Sequence, residues 1–473
     1  MIQSRSGVWW TDDDPSVRVP GTLSRTADQW QLDLIGTLRV NHQWSDSLSL
    51  VPPVTIYGAC SGRRFTLRVS YLVRTTGPSF MPNEEDRADN QFSQTWIGSS
   101  LLAGDALPEA TIYTGATFEL TGLSEWWPFS GIAQDTPIGE PLGYGQLEPT
   151  VAKCDNGMAV TLAAMGSESA SRRVRSLSEY VVVGVERDSG FTLEELMEQA
   201  VIPLQSLLAI TLDRTVEYFN LRLQPRRETS AEHEAFDDYM SISFDPGVID
   251  EDVERESIGL DPFFTAKDVQ AAEFIANWIG VASRAVVPVA VASSRSRIGS
   301  LQIGVVEAVN AAESLHREFH PEPPPSNFAE KVDKALKSAG GLDSKERRKV
   351  KSAVKITEVS LESRLLELTS ELGEEFCLWF YQRQVKEWAS VSAAVRNALS
   401  HGYRTTHRVE HDRGALNGVL AITLATIRLR LLTEAGLPKD YELQKILTRS
   451  RRHLALMRQS VADWRSLRAS MGS

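Results

Sequence analysis

Residues 300–319, "SLQIGVVEAVNAAESLHREF", place Leu301, Val305, Val309, Ala312 and Leu315 at intervals of three and four. That spacing gathers one apolar stripe on a helix and scatters it on a strand. The run stops at "HPEPPPSN" (320–327), where proline removes amide donors and blocks helical continuation. Helical periodicity already governs "AKDVQAAEFIANWIGVASRAV" (266–286), and it returns beyond the prolines. "DSKERRKVKSAVK" (343–355) offers Asp343 or Ser344 as an N-cap. A long pattern from about Thr357 to Ser400 aligns Phe376, Phe380, Trp388, Val391, Val395 and Leu399 on one stripe. Further helices are expected over Arg413–Glu434 and Lys439–Arg468, divided by the stop signals Gly436 and Pro438. The C-terminal half therefore predicts an all-α bundle.

Moving toward the N-terminus, the period falls to two. "QLDLIGTLRV" (31–40), "RRFTLRVSYLV" (63–73), "ATIYTGATFEL" (110–120) and "EYVVVGVE" (179–186) are alternating or β-branched runs. They are punctuated by turns such as "TTGPSFMPN" (75–83) and "PIGEPLGYG" (137–145). The expected class is α+β and multidomain: a β-rich N-terminal domain over 1–225, sandwich- or barrel-like, an acidic linker over 226–264, and a helical domain over 265–473. The linker is read from "QPRRETSAEHEAFDDY" and "PGVIDEDVERES". Trp9, Trp10, Trp30, Trp44, Trp96, Trp126 and Trp127 fall in the β-rich part and are expected to fill its core. The tandem pair in "LSEWWPF" is the place to look for a ligand surface, because adjacent residues on a strand face opposite ways.

A chain of 473 residues exceeds what one hydrophobic core usually organises, in keeping with two or more domains. No basic region leads into an apolar run at the start, and no stretch of about 18 apolar residues is free of charge. A cytoplasmic protein without a membrane span is expected. Cys60, Cys154 and Cys377 lie far apart without a CxxC and are expected to be free thiols. The net charge of −12 conceals an asymmetry. Residues 331–473 carry 26 Lys and Arg against 16 Asp and Glu, a net +10, and the rest of the chain is at −22. One domain suited to a polyanion would leave such a signature, as would a solvated basic face.

Chemistry concentrates in "VRNALSHGY" (395–403). Asn397 and His401, four apart, share a helix face, whereas Arg396 and His401, five apart, diverge by about 140°. One straight helix does not aim both at one atom. Gly402 marks the helix end, where His401 sits in a fraying last turn, and a second copy of the chain is a way to complete the site. Histidine both accepts and donates protons near neutrality, arginine clamps phosphate oxygens, and asparagine one turn before the histidine can orient its ring. The set suits cleavage of an RNA phosphodiester by its own 2′-OH, without metal or other cofactor.

Among rival chemistries, His401, His407 and His411 with Asp412 sketch a metallophosphoesterase, but their spacing matches no strong zinc pattern. "SAGGLDSKER" (338–347) is not a phosphate-binding P-loop, and "GACSGRR" (58–64) is not a nucleophile elbow.

"RNALSH" also resembles the R-x(4 to 6)-H motif of HEPN-domain ribonucleases. The N-terminal part resembles the N-terminal domain of ApeA-type proteins in "GVWW", "VPGTL", "LDLIGTL", "IYGACSGRRFTLRVSYL", "FELTGLSEWW" and "PLQSLLAITLDRTVEYFNLRL". "SLQIGVVEAVNAAESLHREF" resembles an early HEPN helix of that group, with Glu313 at the position of its glutamate. The resemblance implies a metal-independent endoribonuclease whose facing motif helices form a composite site in a dimer, used as a toxin-like effector in anti-phage abortive infection. It implies His401 as general base or acid, Arg396 as phosphate clamp and Asn397 as orienting group, with 2′,3′-cyclic phosphate and 5′-OH products from a tRNA or mRNA. Glu313 and Arg317 are supporting candidates that would equally form a plain i to i+4 ion pair. Tyr403 would stack on a base or pack behind the helix end. The expected partners are RNA, a homodimeric or larger assembly through the HEPN domain, and a phage-derived trigger at the N-terminal domain. The alternative is an inactive HEPN-like module that binds RNA, a nucleotide or a protein.

Overall fold

The protein was analysed as a computed structural model describing residues 4–26, 29–38, 54–76, 93–108, 110–132, 144–145, 147–170, 175–226, 242–245, 262–293, 300–320, 327–338, 343–354, 359–382, 385–405 and 408–450. It divides into two compact units, one formed by residues 1–124, 129–201 and 217–258, the other by 125–128, 202–216 and 259–473.

The first unit is built on β1 (Ser4–Thr11), β2 (Val19–Arg25), β3 (Trp30–Ile35), β4 (Val54–Cys60), β5 (Arg63–Thr76) and β6 (Ser93–Gly104). Hydrogen bonding runs β3-β2-β1-β4-β5-β6, and β6 returns to β3, pairing Ser93–Gly98 with Ile35–Trp30. The six strands thus form a closed antiparallel barrel, which leaves no edge along the β3–β6 seam. Alternation decides which side chains enter it. On β3, Trp30, Leu32 and Leu34 are buried while Ile35 is 58% exposed. Trp9, Leu23, Trp30, Leu32, Ile56, Phe65, Leu67 and Trp96 form the barrel core, each 2% exposed or less. Enclosing each large apolar side chain stabilises the fold by about 1.5–3 kcal/mol. Gln94 is buried with them, its side-chain carbonyl accepting from Leu38 N at 2.9 Å and Trp96 Nε1 at 3.1 Å.

Only the first half of β6 closes the barrel. Its second half, Leu101–Ala103, pairs with β12 (Ile242–Asp245) and opens into a second run. That run orders β12, β11 (Tyr218–Pro225), β7 (Tyr113–Leu120), β10 (Arg175–Phe191), β9 (Ala159–Ala170) and β8 (Thr150–Lys153). The stretch expected to be linker or loop therefore contains a strand at 242–245, bonded to β6 and β11. Four residues between acidic runs are too few to show a period. Of the remaining linker, 227–241 and 246–261 lie outside the described residues.

The second unit takes in Glu125–Pro128, entered through α1 (Leu123–Trp126), and α3 (Ile202–Leu212), reached through α2 (Leu193–Leu196) and a π turn at Met197–Val201. Trp126 and Trp127 are both buried, at 1% and 2% exposure, and Trp126 meets Phe264 edge-on at 6.1 Å. The tandem pair is core and not a ligand surface, because α1 ends on Trp126 and the bend at Trp127 lets both rings turn inward; Trp44 lies outside the described residues. Thr265 starts the helical region with a capping box to Asp268.

Then follow α4 (Ala271–Arg284), α5 (Val286–Ser293), α6 (Leu301–Phe319), α7 (Asn327–Ser338), α8 (Ser344–Val354), α9 (Leu361–Ser370), α10 (Glu374–Phe380), α11 (Val385–His401), α12 (Arg413–Glu434) and α13 (Asp440–Arg449). Asp343 caps α8, accepting from Lys345 N and Glu346 N at 2.7 Å each. α12 has the expected bounds and packs on α4, α5, α6, α9 and α11. Among the described residues it is the one unbroken helix long and apolar enough to cross a membrane, and 72% of that stretch is buried within the fold, as in the core helix of a bundle. Residues 451–473, including most of the expected final helix, lie outside the described residues.

The pattern expected as one helix from Thr357 to Ser400 is instead three, α9, α10 and α11. Gly373 breaks it at φ +104°, where a Cβ would meet Asp440 Cβ at 2.5 Å. Asp440 uses that space to bond Phe376 N through Oδ1 at 2.8 Å and Leu372 O through its own N at 2.9 Å. Cys60, Cys154 and Cys377 are free thiols. Burial pushes Cys154 up to about 11 and Cys377 to about 12.

Candidate active site

The candidate site lies on two packed helices of the second unit, α6 and α11. On α11, Trp388, Ala389, Val395 and Ala398 are buried, which turns Arg396 and Asn397 partly outward. His401 is the last helical residue. Gly402 follows at φ +69° and donates its N–H to Ala398 O at 2.9 Å, the left-handed cap that glycine adopts without a Cβ penalty. On α6, Ser300 caps the start, and Val305, Ala308, Val309, Ala312 and Leu315 face the core. Asn310, Glu313 and Arg317, spaced by three and four, share the remaining face.

These faces meet at Arg396. Its Nε donates to Asn310 Oδ1 at 2.9 Å, its Nη1 to Asn397 Oδ1 at 3.1 Å, and its Nη2 reaches Glu313 Oε2 at 3.5 Å. Glu313 Oε1 accepts from Arg317 Nη2 at 2.9 Å. Glu313 is thus both the partner of an ordinary helix ion pair and a bridge to the motif arginine. The guanidinium is held in a fixed orientation with a quarter of its side chain still exposed. The sequence reading did not single out Asn310. Its signal was its position one turn before Glu313 on the same face.

The oxygen of Asn397 is engaged by Arg396, its neighbour, and no hydrogen bond to the His401 ring is present among the described residues. His401 is exposed. Its ring lies 5.9 Å from that of Tyr403, tilted by 54°. Tyr403 does not pack behind the helix end; it is 68% exposed. Within one chain Arg396 and His401 share no hydrogen bond or ion pair among the described residues, in keeping with their divergence around the helix. The chain beyond is braced by Glu410, whose Oε2 accepts from Thr405 N and Thr405 Oγ1. The Thr405 hydroxyl holds that carboxyl below the usual carboxylate range. His407 lies outside the described residues, and among those described no three His, Cys, Asp or Glu side chains gather as a metal would need.

Comparison with known families gives two matches. The model described as ApeA N-terminal domain 1 matches residues 4–278, and the one described as Apea-like HEPN matches residues 306–441. The latter interval contains Asn310, Glu313, Arg317, Arg396, Asn397, His401 and Tyr403. No curated protein and no solved structure matches the chain. HEPN domains are in general ribonuclease domains, and ApeA-like ones suggest an anti-phage defence effector. With the β-barrel-containing region and the helical HEPN region covered by the two models, the chain belongs to the ApeA-like HEPN proteins.

Proposed function

We propose that this chain is a metal-independent endoribonuclease acting in the cytoplasm as a toxin-like effector of abortive infection. The observation that carries the reading is the placement of Arg396: Asn310, Asn397 and Glu313 hold its guanidinium in position beside an α11 that ends in an exposed His401. A planar cation fixed in this way can meet phosphate oxygens with little further loss of side-chain freedom. In the reaction, His401 takes the proton of the ribose 2′-OH as its oxygen attacks phosphorus. Arg396 stabilises the charge on the phosphorane. The P–O5′ bond then breaks and the 5′-oxygen leaves with the proton returned by the His401 imidazolium, giving a 2′,3′-cyclic phosphate and a 5′-OH end.

Arg396 and His401 of one α11 point apart, so the reactive pair is drawn from two copies in a homodimer or larger assembly. Glu313 neutralises Arg396 at rest, and an incoming phosphate exchanges with it. The N-terminal region senses a phage-derived trigger or restrains the nuclease until one arrives. One observation favours the rival reading of a module that only binds RNA, a nucleotide or a protein: among the described residues, three of the five Arg396 N–H donors already bond within the chain.

The test incubates wild type and His401→Ala with total bacterial RNA in EDTA and maps 2′,3′-cyclic ends. Wild type alone should produce them, with His401→Ala lowering cleavage by about 10²–10⁴-fold and leaving RNA affinity within a few-fold. RNA that is bound but left uncut, with or without infected-cell extract, would select the binding-only reading.

A further inference from the structure

A cleft of about 300 Å³ in the second unit is lined by Leu301, Gln302, His411, Arg413 and Leu416. Three of these are polar and exposed, and among the described residues neither Arg413 nor Gln302 makes a side-chain hydrogen bond or ion pair. Among the described residues the one partner of His411 Nε2 is Glu410 Oε1, 3.9 Å away, which is beyond hydrogen-bond range. The floor is apolar, since Leu416 is 1% exposed and Leu301 half-buried. Arg413 is also out of keeping with its local position. It is the first residue of the 22-residue α12, where the helix dipole disfavours a cation, and the adjacent Asp412 carboxylate is occupied in capping Ala415 N at 2.9 Å. A residue that breaks a local rule without an internal partner is a mark of a functional position.

The cleft and the Arg396 cluster are linked by two elements. α6 carries Gln302 at one end and Asn310, eight residues on, about 12 Å away along the axis. The turn Val409–His411 packs on both α11 and α12. We infer that the cleft is a second RNA subsite, binding a nucleotide of the same strand that Arg396 clamps. Arg413 and His411 hold its phosphate, Leu301 and Leu416 bound the base face, and Gln302 offers an amide to the base edge or ribose. A cationic groove that follows the phosphates is how single strands are held without a duplex groove. The inference deepens the ribonuclease reading and rests on RNA being the substrate, but not on catalysis.

The test therefore separates binding from cutting. A single-stranded RNA of about twelve nucleotides with 2′-O-methyl groups throughout carries no nucleophile, so its affinity for the full chain is measured at several salt concentrations. Arg413→Gln should weaken binding by five- to tenfold near 100 mM salt. The slope of log affinity against log salt should become shallower by about 0.7, the loss of one single-strand phosphate contact. Arg413→Lys should restore the slope, and unchanged melting of the exposed-site variants establishes that the fold is intact. Wild-type affinity and slope in Arg413→Gln, or no binding of this RNA by wild type, would overturn the subsite. If wild type cuts no natural RNA while Arg413→Gln still weakens binding, the catalytic reading fails and the subsite stands.

Discussion

Inside the barrel the enclosed side chains include Trp9, Trp30, Trp96, Phe65 and a ring of leucines, and the buried polar residues of its six strands are Thr11, Thr66, Ser70, Gln94 and Ser100, all uncharged. In the helical unit Arg364 and Arg430 are buried at 1% and 0% exposure, with His316 at 3% and Glu410 at 6%. Arg430 is held by Glu371 and Glu434; His316 meets Glu367 at 2.6 Å and stacks on His320 at 4.7 Å. The barrel satisfies its backbone by closing the ladder and needs only volume inside. The bundle joins its helices partly through enclosed charges, which must be paired because a lone buried charge is costly. A region that already tolerates oriented charge is also where a fixed arginine and an exposed histidine can be placed for chemistry.

Substitutions in either region test that contrast. The largest expected effect is Trp96→Ala. Emptying the barrel of a fully buried ring should cost about 3–5 kcal/mol in denaturant unfolding. A loss below about 1 kcal/mol would mean that the barrel does not depend on its apolar filling. Next is Gly373→Ala in the bundle, where the left-handed φ and the approach of Asp440 leave no room for a Cβ. It should lower stability by more than about 1 kcal/mol, and an unchanged melting temperature would show that the α9–α10 break is not held by Asp440.

The smallest effect is a pH dependence. Burial, outweighing the attraction of Glu367, lowers the His316 pKa below its ordinary value. The unfolded chain therefore binds the extra proton first. Stability should be full above about pH 6.5 and decline as pH falls from there toward the depressed folded value. The groups facing His316 are Glu367 and Arg364 of α9, with His320 beyond its own helix end. His316→Gln should flatten the decline in thermal melts between pH 7 and 5. An equally steep decline in the variant would assign the acid sensitivity elsewhere.

Much of this molecule is legible in local pattern. The change of period from two to three-and-four separates strand-rich from helical sequence, α12 has the bounds read from its apolar run and the stop signal Gly436, and Asp343 caps α8 as its side-chain chemistry dictates. Local reading failed where a break depends on a remote residue. The stretch from Thr357 to Ser400 reads as one helix in sequence, yet between α9 and α10 Gly373 takes a left-handed turn whose space is filled by Asp440. The motif shows the same division. Arg396, Asn397 and His401 are recognisable by type and spacing, and Gly402 as the helix end. That Asn397 serves Arg396, and that Asn310 joins Glu313 in holding it, depends on how α6 meets α11.

Periodicity, caps and stop signals act over a few residues, so sequence alone determined the division into strand-rich and helical regions, the helix ends at Gly402 and Gly436 and the chemical identity of the motif. Tertiary structure decided the closure of β3 on β6, the strand at 242–245 and the partners of Arg396 on α6. Each joins positions separated by tens of residues or more, and which distant surfaces meet is settled by burying apolar faces and satisfying polar groups together, not by any local preference.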